Sequence, residues 1–247
     1  MNVQITNLTR RFGRAVAVAG VDLEVGTGVF GLLGPNGAGK TSLLRMMATA
    51  VPPNSGTLRL LGRDPRMPGP RREIRRRLGY LPQHPGYYPG FTVTEFVEYF
   101  ALLKEMPSAR VPGAVATAVQ RVGLSDRAHA RLRTLSGGML RRAVIAQAIV
   151  NEPELLLLDE PTAGLDPEQR VAFRALLRDL GQRATVIVST HLVEDVGAAC
   201  NWLALMDSGR IVFHGTPDNL TARGAGHGTG DAPLERGYSA VLSEARS

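Results

Sequence analysis

The chain has 247 residues, of which 44% are apolar, so it is long enough for one large domain or two small ones with a substantial core. Its one cysteine, Cys200, excludes an internal disulfide and suits a reducing compartment. The net charge is +7, yet only two of the 29 basic residues are lysines, so the excess is compatible with a general preference for arginine and does not by itself indicate a ligand.

No apolar run approaches the roughly 18 residues needed to cross a bilayer. The first residues also lack the apolar core of a secretion signal. We therefore expect a soluble protein, for which any role at a membrane depends on a partner.

Nine segments have the pattern of β-strands. Segments that alternate apolar and polar side chains predict half-buried strands, and continuously apolar segments predict strands covered on both faces. In chain order they are residues 3–8, 21–25, 29–33, 57–61, 78–81, 155–158, 184–189, 202–206 and 210–214. The last two flank Ser208 and Gly209 and are predicted to form a hairpin.

Capping residues, prolines and helix formers predict eight helices. Thr92 with Glu95 three residues later has the pattern of a capping box, and Thr216 is followed by Pro217, which favours the first position of a helix. In chain order the helices cover residues 42–48, 92–103, 112–122, 136–150, 167–180, 193–200, a short segment after 216, and 234–242. We interpret residues 91–150 as a helical insert in an α/β core.

The remaining segments are predicted as loops or surface. Residues 10–13 are predicted as a turn, residues 65–70 as a loop and residues 224–230 as a flexible stretch. The arginine-rich residues 71–77 form either a solvated helix face or a patch for nucleic acid or lipid. Cys200 and Trp202 are predicted to lie in the core.

The sequence GPNGAGKT at residues 34–41 fits the phosphate-binding pattern G-x-x-x-x-G-K-[ST]. It follows a predicted buried strand and precedes a predicted helix, so backbone N–H groups and a helix N-terminus surround one point. Lys40 is then expected to reach the β- and γ-phosphates, and the Thr41 hydroxyl to bind Mg²⁺. This chain is therefore expected to bind a nucleoside triphosphate.

A second part of the site is expected where the apolar run at 155–158 ends in Asp159 and Glu160. Asp159 is expected to complete the Mg²⁺ site. Neighbouring residues of a strand point to opposite faces, but a residue at the strand end can turn back towards the ligand. Glu160 is then positioned to accept a proton from an attacking water.

Over residues 3–220 the chain resembles the ATP-binding subunit of an ABC transporter. Besides the phosphate loop and the Asp-Glu strand, four motifs carry the resemblance: YLPQ at 80–83, LSGGM at 135–139, GLD at 164–166 and STH at 189–191. The resemblance implies a P-loop NTPase of the ABC type, an α/β fold with a mostly parallel core sheet, an antiparallel β subdomain and the helical subdomain at about 91–150. The ATP-binding domain is expected to span residues 1–223, and residues 224–247 to form a Gly-rich linker and short tail.

The resemblance also implies roles for individual residues. ATP and Mg²⁺ are the expected cofactors, and two domains are expected to face each other head to tail around two ATP molecules. The residues expected to bind ATP are Phe12, Gly34, Pro35, Asn36, Gly37, Ala38, Gly39, Lys40, Thr41, Ser42, Gln83, Ser136, Gly137, Gly138 and Asp166. The catalytic residues are expected to be Glu160, His191 and Gln83, and the metal ligands Thr41, Gln83 and Asp159.

Within these roles, Phe12 is expected to stack on adenine, although ordinary packing explains an aromatic residue there equally well from its position alone. Ser136, Gly137 and Gly138 have the pattern of a helix N-cap, which is also an anion site, so the γ-phosphate of the facing domain is their expected ligand. Asp166 is expected to communicate across the dimer.

The expected partners are an integral membrane permease on a separate chain and a second ATP-binding domain, identical or from a sister chain. The aromatic residues Tyr87 and Tyr88 are expected to hold a short cytoplasmic helix of that permease, with core packing as the alternative. The expected location is cytoplasmic, on the inner face of the cell membrane. Met139 replaces the glutamine usual in the signature and resembles the subgroup that powers exporters.

Two other functions stay open. An ABC-type ATPase acting on nucleic acid or ribosomes would explain the basic charge, but the segment between Gln83 and Leu135 is too short for the long coiled coil of DNA-repair relatives, so nucleic acid is not the expected partner. A nucleotide-binding regulator without hydrolysis is disfavoured by the presence of both Glu160 and His191. The cargo is not encoded in any of these motifs.

Overall fold

The computed structural model describes residues 1–197, 199–225 and 229–247. Residues 226–228 of the predicted flexible stretch, and residue 198 of the predicted helix at 193–200, lie outside the described residues. No helix in the described part of the chain combines the length and the apolar character needed to span a membrane.

Strands and helices follow each other in a mixed order. The strands are β1 (Val3–Phe12), β2 (Ala15–Val25), β3 (Gly28–Leu33), β4 (Ser55–Leu60), β5 (Leu78–Leu81), β6 (Leu155–Asp159), β7 (Thr185–Thr190), β8 (Trp202–Asp207) and β9 (Arg210–Gly215). The helices are α1 (Lys40–Met47), α2 (Pro68–Arg76), α3 (Val93–Leu103), α4 (Val111–Arg121), α5 (Gly137–Ile149), α6 (Pro167–Gly181), α7 (Val193–Gly197), α8 (Pro217–Arg223) and α9 (Pro233–Arg246). All nine predicted strands and all eight predicted helices are confirmed, with shifted ends.

The larger sheet has six strands in the order β5-β6-β7-β3-β8-β9. Its first five strands are parallel, and β9 returns antiparallel to β8 as the predicted hairpin. Strand β6 is buried on both faces, because Leu155 and Leu157 pack into one hydrophobic cluster while Leu156 and Leu158 pack into another. A run of four leucines is therefore the expected sequence for this position.

The smaller sheet is antiparallel, in the order β2-β1-β4. The predicted turn at residues 10–13 is wrong in its placement, because Arg10 and Arg11 still pair with Val18 and Val16 of β2. The chain turns only at Gly13, whose φ is +57°. The mostly parallel sheet, the antiparallel sheet and the helices together confirm the predicted fold class.

Residues 91–150 contain helices α3, α4 and α5 with short 3₁₀ turns between them. The predicted capping box is confirmed: the Thr92 hydroxyl accepts from the Glu95 N–H at 3.2 Å, and the Glu95 carboxylate accepts from the Thr92 N–H at 2.7 Å. Apolar residues of all three helices share one buried cluster with β6 and α6, so the helical segment is packed onto the central sheet.

The loop predicted at residues 65–70 is confirmed for residues 65–67 and wrong for residues 68–70, because α2 begins at Pro68. The arginines that follow are held by internal partners. Arg72 and Arg76 both pair with Glu105, and Arg77 pairs with Glu154. This pattern favours a solvated helix face over a patch for nucleic acid or lipid.

The end of the chain packs onto the larger sheet. Thr216 caps α8 as predicted, and α9 extends to Arg246, beyond the predicted helix at 234–242. Val241 of α9 shares a buried cluster with Leu220, Leu203 and Leu205. The division into residues 1–223 and 224–247 stays a prediction.

Of the two residues predicted to lie in the core, Cys200 is partly buried and packs against core clusters. For Trp202 the prediction is wrong, because this residue is 51% exposed. It begins β8 at the amino edge of the sheet, where its ring lies 5.7 Å from that of His214.

Candidate active site

The phosphate loop joins β3 to α1. Gly34 and Gly39 have φ values of +151° and +103°, which residues with a side chain rarely adopt. A Cβ at Gly34 would lie 2.3 Å from the carbonyl oxygen of Met206, and a Cβ at Gly39 would lie 2.2 Å from that of Ala17. The glycines at these two positions are therefore required by both backbone conformation and space.

Lys40 is the first residue of α1 and is almost completely buried. Its Nζ donates to the carbonyl oxygens of Gly34 at 2.6 Å and Pro35 at 3.1 Å, so the side chain folds back over the loop. Burial lowers the pKa of Lys40, while the nearby carboxylates of Glu160 and Asp159 act in the opposite direction. A buried ammonium beside backbone N–H groups is a strong attractor for an anion.

Asp159 ends β6 and is completely buried. Its Oδ1 accepts a hydrogen bond from the Ser189 hydroxyl at 2.5 Å. Its Oδ2 is also buried and has no hydrogen-bond partner among the described residues. One oxygen is therefore fixed by β7, and the other is available as an acceptor.

Glu160 turns back towards the site, as the sequence predicts for a residue at a strand end. Its φ is +49°, in the left-handed region, and its N–H donates to the carbonyl oxygen of Ser189 at 3.1 Å. Its carboxylate then lies between two groups: Oε1 is 3.9 Å from Lys40 Nζ, and Oε2 is 3.0 Å from His191 Nδ1.

The topology explains why these distant residues meet. Parallel strands end at the same edge of a sheet, and ligands bind outside those carboxyl ends. Leu33 of β3 pairs with Thr190, Asp159 of β6 pairs with Ser189, and Leu81 of β5 pairs with Leu158. The phosphate loop, Glu160, His191 and Gln83 therefore all follow strands that end at one edge.

Three of the predicted site elements have no hydrogen bond or ion pair, among the described residues, with Lys40, Asp159 or Glu160. Gln83 is exposed just beyond β5. Phe12 is 46% exposed at the end of β1, with the Arg10 guanidinium 4.6 Å from the centre of its ring.

The third such element is the signature. Ser136 caps α5, and its hydroxyl accepts from the Met139 N–H at 3.3 Å. Asp166 caps α6 by accepting from the Gln169 N–H at 2.8 Å. A Cβ at Gly138 would lie 2.5 Å from Gln169 Oε1, so the signature and the start of α6 are in close contact.

Two side chains around Asp159 and Glu160 were not predicted from the sequence. Ser189 holds both residues, since its hydroxyl donates to Asp159 and accepts from the Glu160 N–H at 3.2 Å. Arg141 reaches the same turn from α5 and donates to the carbonyl oxygens of Pro161 at 3.0 Å and Asp159 at 3.2 Å. The alignment of Ser189 with Asp159 on neighbouring parallel strands is the signal that points to the serine; no sequence pattern points to the arginine.

The segment after Gln83 exposes aromatic side chains. Tyr87 and Tyr88 are 40% and 56% exposed. The Tyr88 ring lies 5.0 Å from that of Phe91 and 5.9 Å from that of Tyr99, measured between ring centres. The alternative of full core packing is therefore wrong for the two tyrosines.

The sequence of this chain matches those of known proteins. The family model described as "ABC transporter" matches residues 18–163, more than half of the chain. The chain belongs to the ABC transporter family.

Named relatives cover most of the chain. The Nod factor export ATP-binding protein I of Cupriavidus metallidurans is 40% identical over 222 residues, which are 88% of this chain and 72% of that protein. An uncharacterised ABC transporter ATP-binding protein, YxlF of Bacillus subtilis, is 35% identical over 88% of this chain and 72% of that protein.

Solved structures share the fold. The structure described as the ATP-binding subunit of an ABC transporter superposes with a TM-score of 0.86 over 98% of this chain and 100% of that one, at 22% identity. The cbiO1 protein of Clostridium perfringens, part of the ABC transporter complex cbiONQ, superposes with a TM-score of 0.80 over 90% of each chain, at 26% identity.

The chain is thus an ATP-binding subunit of an ABC transporter and an ABC-type ATPase. This result favours an ATPase over the regulator without hydrolysis.

Proposed function

We propose that this ABC-type ATPase hydrolyses Mg²⁺-ATP at the edge of its central sheet to power export through a separate membrane permease. One observation carries the proposal: the Glu160 carboxylate lies between Lys40 Nζ, at 3.9 Å, and His191 Nδ1, at 3.0 Å. A fixed cation beside a proton acceptor supplies the two functions that hydrolysis of a phosphoanhydride needs.

The triphosphate is bound by the loop between β3 and α1. The backbone N–H groups of residues 34–42 surround the β- and γ-phosphates, and Lys40 exchanges its two carbonyl acceptors for phosphate oxygens. Phe12 stacks on the adenine ring, because this aromatic residue is 46% exposed at the end of β1.

Residues around the phosphate loop fit a Mg²⁺ ion. Oxygen ligands are what this ion requires, and the buried Asp159 Oδ2 is an acceptor without a partner among the described residues. Asp159, the Thr41 hydroxyl and Gln83 would hold the ion. When bound, it neutralises charge on the phosphate oxygens.

Three residues carry the chemistry. Glu160 accepts a proton from the attacking water, for which its turned-back carboxylate is oriented. His191, hydrogen-bonded to Glu160, contacts the γ-phosphate. Gln83 positions the water from the end of β5.

The site is completed by a second ATP-binding domain, identical or from a sister chain. Ser136, Gly137 and Gly138 form the N-terminus of α5, where backbone N–H groups favour an anion. They bind the γ-phosphate held by the facing domain. Asp166 lies at the start of α6, whose Gln169 contacts Gly138, so it is positioned to relay changes between the two sites. ATP closes the pair and hydrolysis opens it.

The chain works from the cytoplasm, bound to the inner face of the cell membrane through the permease. The exposed Tyr87 and Tyr88 form the aromatic surface that holds a short permease helix. Replacing both tyrosines by alanine is expected to abolish transport and to leave ATP binding unchanged. Transport that survives undiminished would refute this docking surface.

Export is favoured over import by the relatives, which include a Nod factor export ATP-binding protein, and by Met139 in the signature. The cargo is determined by the permease. Identifying the membrane protein that co-purifies with this chain would test the direction of transport and indicate the cargo.

Glu160→Gln tests the central proposal. ATP binding is expected to persist, steady-state turnover to be abolished apart from a small residual single-turnover rate, and the ATP-bound dimer to accumulate, because the amide cannot take the proton. The measurements are ATP affinity, phosphate release and the mass of the complex with ATP. Glu244→Gln, an exposed glutamate on α9, is the matched control and should hydrolyse ATP normally. Unchanged hydrolysis in Glu160→Gln would remove Glu160 from the mechanism.

A further inference from the structure

Arg141 is a buried cation that the proposed mechanism does not use. It lies on the first turns of α5, the helix that begins at the signature, and it is only 9% exposed. Burial lowers its pKa, while the carboxylates of Asp159 and Glu160 act in the opposite direction. Buried charges are rare unless they are well partnered, so its contacts indicate its role.

The contacts of Arg141 are three consecutive backbone carbonyls around Glu160. Its Nε donates to Pro161 at 3.0 Å, and its Nη2 donates to Asp159 at 3.2 Å and to Glu160 itself. The planar guanidinium has five donors in a fixed arrangement, which allows one side chain to bind several acceptors at once.

The backbone at Glu160 needs such support. If Glu160 simply continued β6, its side chain would point to the face of the sheet away from Lys40. The left-handed φ of +49° turns the side chain back towards Lys40. This conformation is unfavourable for a residue with a Cβ and persists only where the surroundings fix it. The Glu160 N–H is held by Ser189 of β7, and the Glu160 carbonyl is held by Arg141.

We propose that Arg141 is a positioning residue that fixes the backbone turn at Glu160 and so orients its carboxylate between Lys40 and His191. The inference rests on the proposed role of Glu160 as the general base. It also links the two ATP sites of the pair, because a shift of α5, whose N-terminus is the signature that contacts the ATP of the facing domain, is transmitted through one guanidinium to Glu160 in this chain's own site.

The test compares Arg141→Met, Arg141→Lys and the matched control Arg142→Met. Arg142 is the next residue of α5 and also binds two backbone carbonyls, but those of Val122 and Gly123 at the end of α4. We expect Arg141→Met to lower kcat roughly 10- to 100-fold, since small misplacements of a catalytic group have effects of this size. ATP affinity should be unchanged, because the phosphate loop is not altered.

Arg141→Lys should restore part of the rate, because an ammonium keeps the charge but cannot bridge three carbonyls. Arg142→Met should keep a kcat close to that of the wild type. If Arg141→Met does not fold, the loss of kcat in Arg141→Lys against Arg142→Met decides the question.

A double-mutant cycle asks whether Arg141 acts through Glu160. In the Glu160→Gln background, measured in single turnovers, Arg141→Met is expected to reduce the residual rate no further. An equal fractional loss in both backgrounds, a wild-type kcat in both Arg141 variants, or an equal loss in Arg142→Met would overturn the inference. Normal turnover in Glu160→Gln would instead overturn the proposed role of Glu160, so the two failures are distinguishable.

Discussion

Replacing Lys104 by methionine tests how the end of α3 is attached to α2. The Lys104 Nζ donates to the carbonyl oxygens of Arg75 at 3.0 Å and Leu78 at 2.5 Å. Burial, and to a smaller extent the charge of Arg75, lowers the pKa of Lys104 from 10.5 to about 8. The folded protein therefore holds this proton less tightly than the unfolded chain does.

The sign of the pH dependence follows from this difference. Between pH 8 and 10.5 the unfolded chain carries a proton on Lys104 that the folded protein has released, so the free energy of unfolding rises with pH in this window. The full effect is about 3 kcal/mol, at roughly 1.4 kcal/mol for each unit of pKa. Below pH 8 Lys104 is protonated in both the folded and the unfolded state, and its contribution to the free energy of unfolding is lowest there.

Urea denaturation of wild type and Lys104→Met at pH 7, 8, 9 and 10 measures the effect. The free energy of unfolding of the wild type, minus that of the variant, should rise over this range by most of the 3 kcal/mol, within a factor of about two. Lys104→Arg keeps its charge throughout, so its own difference from Lys104→Met should stay constant with pH. If the difference in unfolding free energy between the wild type and Lys104→Met also stays constant with pH, the buried environment of Lys104 is refuted.

Three further predictions concern the ATP site. Gly39→Ala should abolish ATP binding measured by calorimetry, because its Cβ would lie 2.2 Å from the Ala17 carbonyl oxygen. In Gly37→Ala the Cβ meets no atom within 4 Å, so ATP binding should be less affected. Equal affinities in the two variants would contradict this account. Asp159→Asn should raise the Mg²⁺ concentration for half-maximal ATPase activity at least about tenfold, since the negative charge of a metal ligand is lost. An unchanged Mg²⁺ dependence would exclude Asp159 as a ligand. Phe12→Ala should weaken ATP binding about three- to tenfold, whereas Phe12→Trp should retain the wild-type affinity. Pyrophosphate binding should be unaffected in both variants. A wild-type ATP affinity in Phe12→Ala would show that Phe12 does not contact the adenine.

The sequence predicts the strands and helices well because their periodicity is set by burial. The four leucines at 155–158 are the clearest case, since a strand between two helical layers must be apolar at every position. The capping box at Thr92 is predicted equally well from the sequence, because its two hydrogen bonds join residues only three positions apart.

The errors have local physical reasons. The three prolines of residues 65–70 favour a loop, yet Pro68 and Pro70 lie in the first turn of α2, where the missing N–H is not needed. The apolar neighbours of Trp202 favour a position in the core, but Trp202 begins β8 and lies at the edge of the sheet. Whether a strand end is covered depends on tertiary packing that short sequence windows do not contain.

The motifs predict that Lys40, Asp159, Glu160 and His191 lie near one another, but not what holds them. Arg141 is one of several arginines in its region of the sequence, and only its contacts with three carbonyls distinguish it. Ser189 belongs to the STH motif, but its hydrogen bonds to both Asp159 and Glu160 depend on the register between β6 and β7. Such contacts join residues distant in sequence and are not encoded in any local pattern.

The position of β3 in the larger sheet has a consequence for synthesis on the ribosome. Its two neighbours, β7 and β8, come late in the chain; Thr185 of β7, for example, bonds to the carbonyl oxygen of Gly26, 159 residues earlier. Until those strands emerge, the apolar β3 has both hydrogen-bonding edges open, a state that favours aggregation. The nascent polypeptide thus contains the loop at residues 34–41 long before both neighbours of β3, the strand preceding that loop, have been synthesised. Chaperone dependence should be greatest in that interval.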